Sequence, residues 1–253
     1  MILSDDQLDR YARHIVLKEI GGDGQKKLLG ARVVVIGAGG IGAAAIPYLA
    51  AAGIGAMAIV DDDRIELANL QRQPIFGTGD IGALKAETAK RRVAALNPDV
   101  EAEATVARIG ADNAPGLIAG ADAVIDGSDN FATRLAVSDA CTAARVPLVS
   151  AAIGQFQAQI GTFRGWTAEA PCYRCYVGDA FDAEDCDTCS ELGVLGAMAG
   201  LAGCFAALEA VRAITGFGED QTGRMHIFDG LKPAMRTIRI VKDPACRTCG
   251  TAR

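Results

Sequence analysis

Histidine is scarce in this 253-residue chain: there are two, His14 and His226, and no Tyr-x-x-x-Lys pair occurs. The acid–base groups that commonly serve hydride transfer are therefore missing. Positive charge is also in short supply, with 25 Lys and Arg against 31 Asp and Glu, a formal net charge of −6 and a pI near 5.0. An acidic surface argues against general affinity for nucleic acid or anionic membranes. The N-terminus, MILSDDQLDRYAR, has neither the basic start nor the apolar core of a secretory signal. Its absence points to the cytoplasm. The least polar long stretch, Leu192 to Leu208, is mostly Gly and Ala, and Glu209 and Arg212 follow within a turn. A buried helix at a tight packing interface is expected there rather than a membrane span. Internal repeats and low-complexity linkers are lacking as well.

Half of the residues are apolar, enough for the core of one domain. Ser4 to Gln7, SDDQ, has the form of a capping box, so a helix is expected from Asp5 with Leu8, Tyr11, Ala12 and Ile15 on one face. GGDGQ at Gly21 to Gln25 reads as a loop. Strands are expected at Val33–Ile36, Ala56–Val60, Glu101–Arg108, Asp122–Asp126 and Pro147–Ala151. Helices are expected after the glycines through Ala52, over Lys85–Leu96 and over Phe131–Ala144. This alternation implies right-handed crossovers and a parallel sheet. After Gly154 the rhythm changes: Gln157–Arg164, Met225–Asp229 and Met235–Val241 read as strands with only one long helical segment among them. The expected fold is α/β and Rossmann-like, a parallel half continued by an antiparallel half. One domain over 1–253 divides into a helical arm (1–30), a nucleotide-binding half (31–153) and an antiparallel half (154–253).

The segment VVVIGAGGIG runs an apolar strand into Gly-x-Gly-x-x-Gly at Gly37, Gly39 and Gly42. Such a turn brings backbone N–H groups and a helix N-terminus against a phosphate. The second strand ends IVDDD, and Asp61, 24 residues after Gly37, suits ribose hydroxyls. The next segment brings Asn69, Arg72 and Lys85, and two added cations suit a triphosphate better than the pyrophosphate of NAD. VIDGSDN then sets Asp126, Asp129 and Asn130 past a strand's carboxyl end, where ligands collect in open α/β sheets. Beside a triphosphate, Asp129 is a natural Mg²⁺ ligand; without one, an acid there is a helix cap.

Eight cysteines include three Cys-x-x-Cys pairs, and in a reducing compartment that spacing suggests metal or thiol chemistry. PCYRC (Cys172, Cys175) and CRTC (Cys246, Cys249) form knuckles separated by 70 residues. Two knuckles complete a tetrahedral four-thiolate set, which suits structural Zn²⁺. Cys186 and Cys189 have the same spacing and are interchangeable with a knuckle on spacing alone. Asp185, Asp187 and Glu191 surround them and disfavour their thiolates. Cys141 and Cys204 sit in apolar helical contexts and read as core.

RYARHI, GAGGIG, NLQRQ, the Lys85 helix, SDN, PCYRC and CRTCG follow one another as in the MoeB/ThiF/HesA family, which the chain resembles from Leu8 to Gly250. The resemblance implies an adenylyltransferase that uses Mg-ATP to activate the C-terminal Gly-Gly tail of a ubiquitin-like sulfur carrier, for molybdenum-cofactor or thiamine synthesis. PCYRC and ELGV lie nearer the molybdopterin-synthase type. By resemblance, the Gly40 backbone meets the α-phosphate, Asp61 the ribose, and Asn69, Arg72 and Lys85 the phosphates. Asp129, beside Asn130, holds Mg²⁺. Arg13 reaches into the other subunit of a homodimer. Zinc is assigned to Cys172, Cys175, Cys246 and Cys249. Cys189 takes the place of a cysteine that in some relatives links covalently to the carrier or relays sulfur. The chain departs from the family at Ala68, commonly a Ser, and at Asp62, commonly apolar. No sulfurtransferase domain follows CRTCG, so a separate sulfurtransferase or cysteine desulfurase is expected. Two other readings make different demands: adenylation of a carboxylate on modified tRNA needs a basic face, and an NAD-dependent oxidoreductase would bind NADH in preference to ATP.

Overall fold

The computed structural model describes residues 2–178 and 193–251. Strands β1 (Arg32–Ile36), β2 (Ala56–Val60), β3 (Glu101–Thr105), β4 (Ala123–Asp126) and β5 (Leu148–Gly154) pair in parallel; β6 (Gln157–Phe163), β7 (Arg224–Asp229) and β8 (Ala234–Arg239) continue antiparallel. The strand order in the sheet is β3-β2-β1-β4-β5-β6-β7-β8. The change of direction falls at β5–β6, where a hairpin replaces a crossover helix. The expected parallel and antiparallel halves are both present.

Successive side chains of a strand face opposite ways, so each strand feeds two cores. From β1, Val33 and Val35 enter one core and Val34 and Ile36 the other. The first core is closed by α4 (Gly40–Ala52), α5 (Lys85–Leu96) and α9 (Gly196–Thr215), the second by α6 (Ala114–Ile118), α7 (Phe131–Ala144) and α8 (Arg174–Val177). Helix α9 is the one helix among the described residues long and apolar enough to cross a membrane. It packs instead on α4, β5 and β6. Small residues make that packing possible: a Cβ on Gly203 would collide with the Ile41 carbonyl, and one on Gly40 would lie 3.0 Å from Ala199 Cβ.

The arm departs from expectation twice. Instead of one N-terminal helix there are two, α1 (Asp5–Arg10) and α2 (Ala12–Ile15), broken at Tyr11. Both halves of the Ser4–Gln7 capping box form. Only Tyr11 of the expected apolar face is buried; its ring fills the space over Gly53 and its hydroxyl accepts from Asn97 Nδ2 at 2.9 Å. Second, the glycine-rich stretch is not a loop but the start of α3 (Gly21–Gly30). Tertiary contacts override its poor propensity. Gln25 is fully buried and donates to the Ala52 carbonyl at 2.9 Å. β3 also stops at Thr105, short of Arg108, because β2 offers it no partner beyond Val60.

Candidate functional site

β1 lies between β2 and β4, so the chain leaves it in opposite directions and a crevice opens at the carboxyl ends. A cavity of about 800 Å³ occupies that crevice. Its wall includes Gly37, Gly39, Gly40, Asp61, Asn69, Arg72, Lys85, Asp129 and Asn130. Gly37 has φ +86°, a backbone conformation strained for other residues. Gly42 stands behind the wall, where α4 presses so closely on the turn that a Cβ would collide with the Gly37 carbonyl oxygen.

Asp61 braces the turn as well as facing the cavity. Its carboxylate accepts from Ala38 N–H at 2.7 Å and from Asp63 N–H at 2.9 Å. Burial raises its pKa, opposed by the charge on Lys85. Lys85 is itself buried, and its Nζ contacts Asp63 Oδ2 at 2.7 Å. Arg72 donates to the backbone carbonyl of Ala68 at 3.0 Å. Buried Asn69 caps its own short turn, accepting from Glu66 N–H at 3.2 Å. A Cβ on Gly196 would collide with the Gln71 carbonyl, so the start of α9 backs this segment closely.

At the end of β4 the acids and the amide divide their tasks. Asn130 is the α7 cap, accepting from Thr133 N–H at 2.9 Å. Asp126 is buried outside the cavity wall and accepts from Ser128 N–H and Oγ. Asp129 is exposed to the cavity and has no hydrogen-bond partner among the described residues. That leaves it free to hold a cation.

Several cavity residues escape the motif reading, Arg134, Gln73 and Arg108 among them. Arg134, 6% exposed, donates to the carbonyls of Ser128 and Ala151 and to Ser150 Oγ, tying the Asp129 loop to the end of β5. Its spacing with Val137 and Cys141 puts it on the sheet-facing stripe of α7, a charge at a core position, and that was the available signal. Gln73 is 2% exposed and its Oε1 is unsatisfied. Arg108 reaches the rim beside Asp62, at 3.5 Å. Arg13 lies on exposed α2, away from this wall. Cys186 and Cys189 fall outside the described residues.

The two knuckles do meet. Sγ atoms of Cys172, Cys175, Cys246 and Cys249 all lie within 4.8 Å of one another. Cys172–Cys175, Cys172–Cys246 and Cys175–Cys249 are 4.0, 3.6 and 3.4 Å apart. Tetrahedral sulfurs around zinc at about 2.3 Å would stand ~3.8 Å apart. Burial raises the pKa of Cys172 and pushes that of Cys249 up to about 11, so thiolates there need a nearby positive charge.

The chain is 44% identical over 252 residues to the SAMP-activating enzyme E1 of Haloferax volcanii, covering 99% of this chain and 92% of that one. It is 39% identical over 248 residues to the sulfur carrier protein adenylyltransferase of Thermus thermophilus, covering 97% and 92%. Among solved structures, Escherichia coli MccB shares the fold with a TM-score of 0.84 at 24% identity, over 98% of this chain and 73% of that one. The sequence pattern of the ThiF family matches residues 11–248, from the tyrosine over Gly53 to the threonine inside the second knuckle, and this chain belongs to that family.

Proposed function

We propose that this protein adenylates the C-terminal glycine carboxylate of a ubiquitin-like sulfur-carrier protein, using ATP. The observation that carries the reading is the convergence of Arg72, Lys85 and the unpaired Asp129 on the glycine-turn cavity. NAD would use the turn and Asp61 but leave these three without a task. The names of the two relatives point the same way.

In the reaction a carboxylate oxygen of the carrier attacks the α-phosphorus. The bond from that phosphorus to the bridging oxygen breaks, leaving an acyl-adenylate and pyrophosphate. The Gly40 N–H at the start of α4 faces the α-phosphate, and Asp61 accepts from the ribose hydroxyls. Asn69 orders the turn that presents Arg72. Arg72 and Lys85 oppose the charge that grows on the departing pyrophosphate, with the nucleotide competing against Asp63 for Lys85. Asp129 and phosphate oxygens would hold Mg²⁺, which neutralises charge on the nucleotide when bound. Asn130 keeps Asp129 at the mouth by capping α7.

Cys172, Cys175, Cys246 and Cys249 hold structural Zn²⁺, for which their sulfur separations are suited. The active form is a homodimer in which Arg13 completes the partner's cavity; its exposure on α2, away from its own cavity, supports this. The carrier serves molybdenum-cofactor or thiamine synthesis, and a separate sulfurtransferase or cysteine desulfurase supplies sulfur in the cytoplasm. Cys189 relays that sulfur or links to the carrier.

ATP–pyrophosphate exchange with purified Gly-Gly-tailed carriers tests the reading. Exchange should depend on the carrier and on Mg²⁺. Carrier-independent behaviour, with Asp129→Ala equal to the parent, would refute it.

A further inference from the structure

Each knuckle carries, between its cysteines, a polar side chain that reaches Asp139 of α7. From the first, Arg174 donates Nε to Asp139 Oδ1 at 2.8 Å and Nη2 to Asp139 Oδ2 at 2.7 Å. From the second, Thr248 Oγ1 donates to the same Oδ1 at 2.7 Å. One carboxylate thus binds both halves of a site whose halves are separated by 70 residues of sequence. The Arg174 side chain is only 5% exposed, so its fork cannot swing freely into water. Neighbouring residues of α7 support the same contact. Tyr173 N–H donates to Ser138 Oγ at 3.3 Å, and a Cβ on Gly165 would lie 3.0 Å from Thr142 Oγ1. Asp139 does not line the nucleotide cavity, and the adenylation chemistry leaves it without a task.

We propose that Asp139 is a positioning residue for the four-cysteine metal site. By holding Arg174 and Thr248 together it sets the two cysteine pairs in tetrahedral register, so that less ordering of the chain remains for the metal to impose. The inference rests on the reading of these cysteines as a metal site. Partners just outside a metal's ligands typically contribute about 10–100-fold in affinity, and Asp139 serves both knuckles at once.

The test is competition between the purified full chain and a chromogenic zinc chelator, with thiolate-to-cobalt absorption of the Co²⁺ form as a second readout. Asp139→Ala should bind zinc about 10–100-fold more weakly and lose intensity in the cobalt band. Asp139→Asn, which keeps an acceptor oxygen, should fall between it and the parent. Thr248→Val should weaken binding least. Val137→Ala, a buried truncation on the same helix, should lower the melting temperature without changing zinc competition. The proposal is overturned if Asp139→Ala competes like the parent, or if Val137→Ala weakens zinc as much. Where Asp139→Ala does not fold, Asp139→Asn and Thr248→Val decide by the same criteria. A parent that binds neither zinc nor cobalt defeats the metal reading itself, whereas a metal-binding parent with unchanged variants defeats only the role of Asp139.

Discussion

The nucleotide cavity is walled chiefly by turns of the parallel half of the sheet, with Gln157, Gln159, Tyr173, Tyr176 and Val177 of the antiparallel half closing one side. In the antiparallel half, the four cysteines come from two segments that meet only because α7 and β7–β8 bring them side by side. The first site sets the side chains of Asp61, Arg72, Lys85 and Asp129 on a backbone frame: a glycine turn, a helix N-terminus and the capped start of α7. The second is built from side chains, with Asp139 as the shared acceptor. The frame of the first site should tolerate loss of the metal held by the four cysteines, and the second site should not.

The largest expected effect breaks the first site without touching its frame. Asp129→Ala should lower carrier-dependent pyrophosphate exchange by roughly 10²–10³-fold, measured at saturating Mg²⁺. Because Asp129 is exposed and has no hydrogen-bond partner among the described residues, the melting temperature should stay within the scatter of the parent. A stability loss matching the activity loss would show that the two cannot be separated. Gly42→Ala should do the reverse. Its Cβ would meet the Gly37 carbonyl oxygen, and overpacking of this kind costs about 1–3 kcal/mol, visible in urea unfolding.

Metal removal sharpens the contrast between the halves. Stripping by chelation should expose the 165–178 and 240–251 segments to limited proteolysis while ATP binding, followed by calorimetry, persists. Loss of both together would mean that the halves fold as one unit. A smaller effect is expected at the α7 cap, where Asn130→Ala should cost about 1 kcal/mol in thermal unfolding. The smallest is a pH dependence at Asp61. Burial raises its folded pKa above the unfolded value, so its contribution is most favourable in acid and declines as pH rises through the folded pKa. The stability of the parent relative to Asp61→Asn should therefore fall as pH rises above about 4. A gap that widens in favour of the parent with rising pH would contradict this.

The cavity residues Asp61, Lys85 and Asp129 were legible because each sits just beyond a strand or opens a helix, and local chain direction then dictates where it points; Asn69 and Arg72, in the turn between β2 and α5, were legible as polar groups between two such elements. Asn130 was legible as a neighbour of the site but not as its cap, since Asn and Asp both cap helices. Arg134 and Gln73 were missed: the partners of Arg134 lie on β5 and in the Ser128 loop, Gln73 is buried beside Gly39, and no spacing encodes those contacts. Helix α3 was misread because its glycines lower helix propensity locally, while buried Gln25 and the Ala52 carbonyl restore the helix from outside.

By itself, then, the sequence determined the alternation of strands and helices, the glycine turn and the acids and cations that follow it. These depend on interactions within a few residues, which short patterns record. Only the tertiary structure decided that Tyr11 breaks the arm over Gly53, that Arg134 ties the Asp129 loop to β5, and that Asp139 joins knuckles 70 residues apart. Those contacts form between segments whose distance along the chain carries no information about their distance in space; the packing of α7 on the sheet brings the last two together.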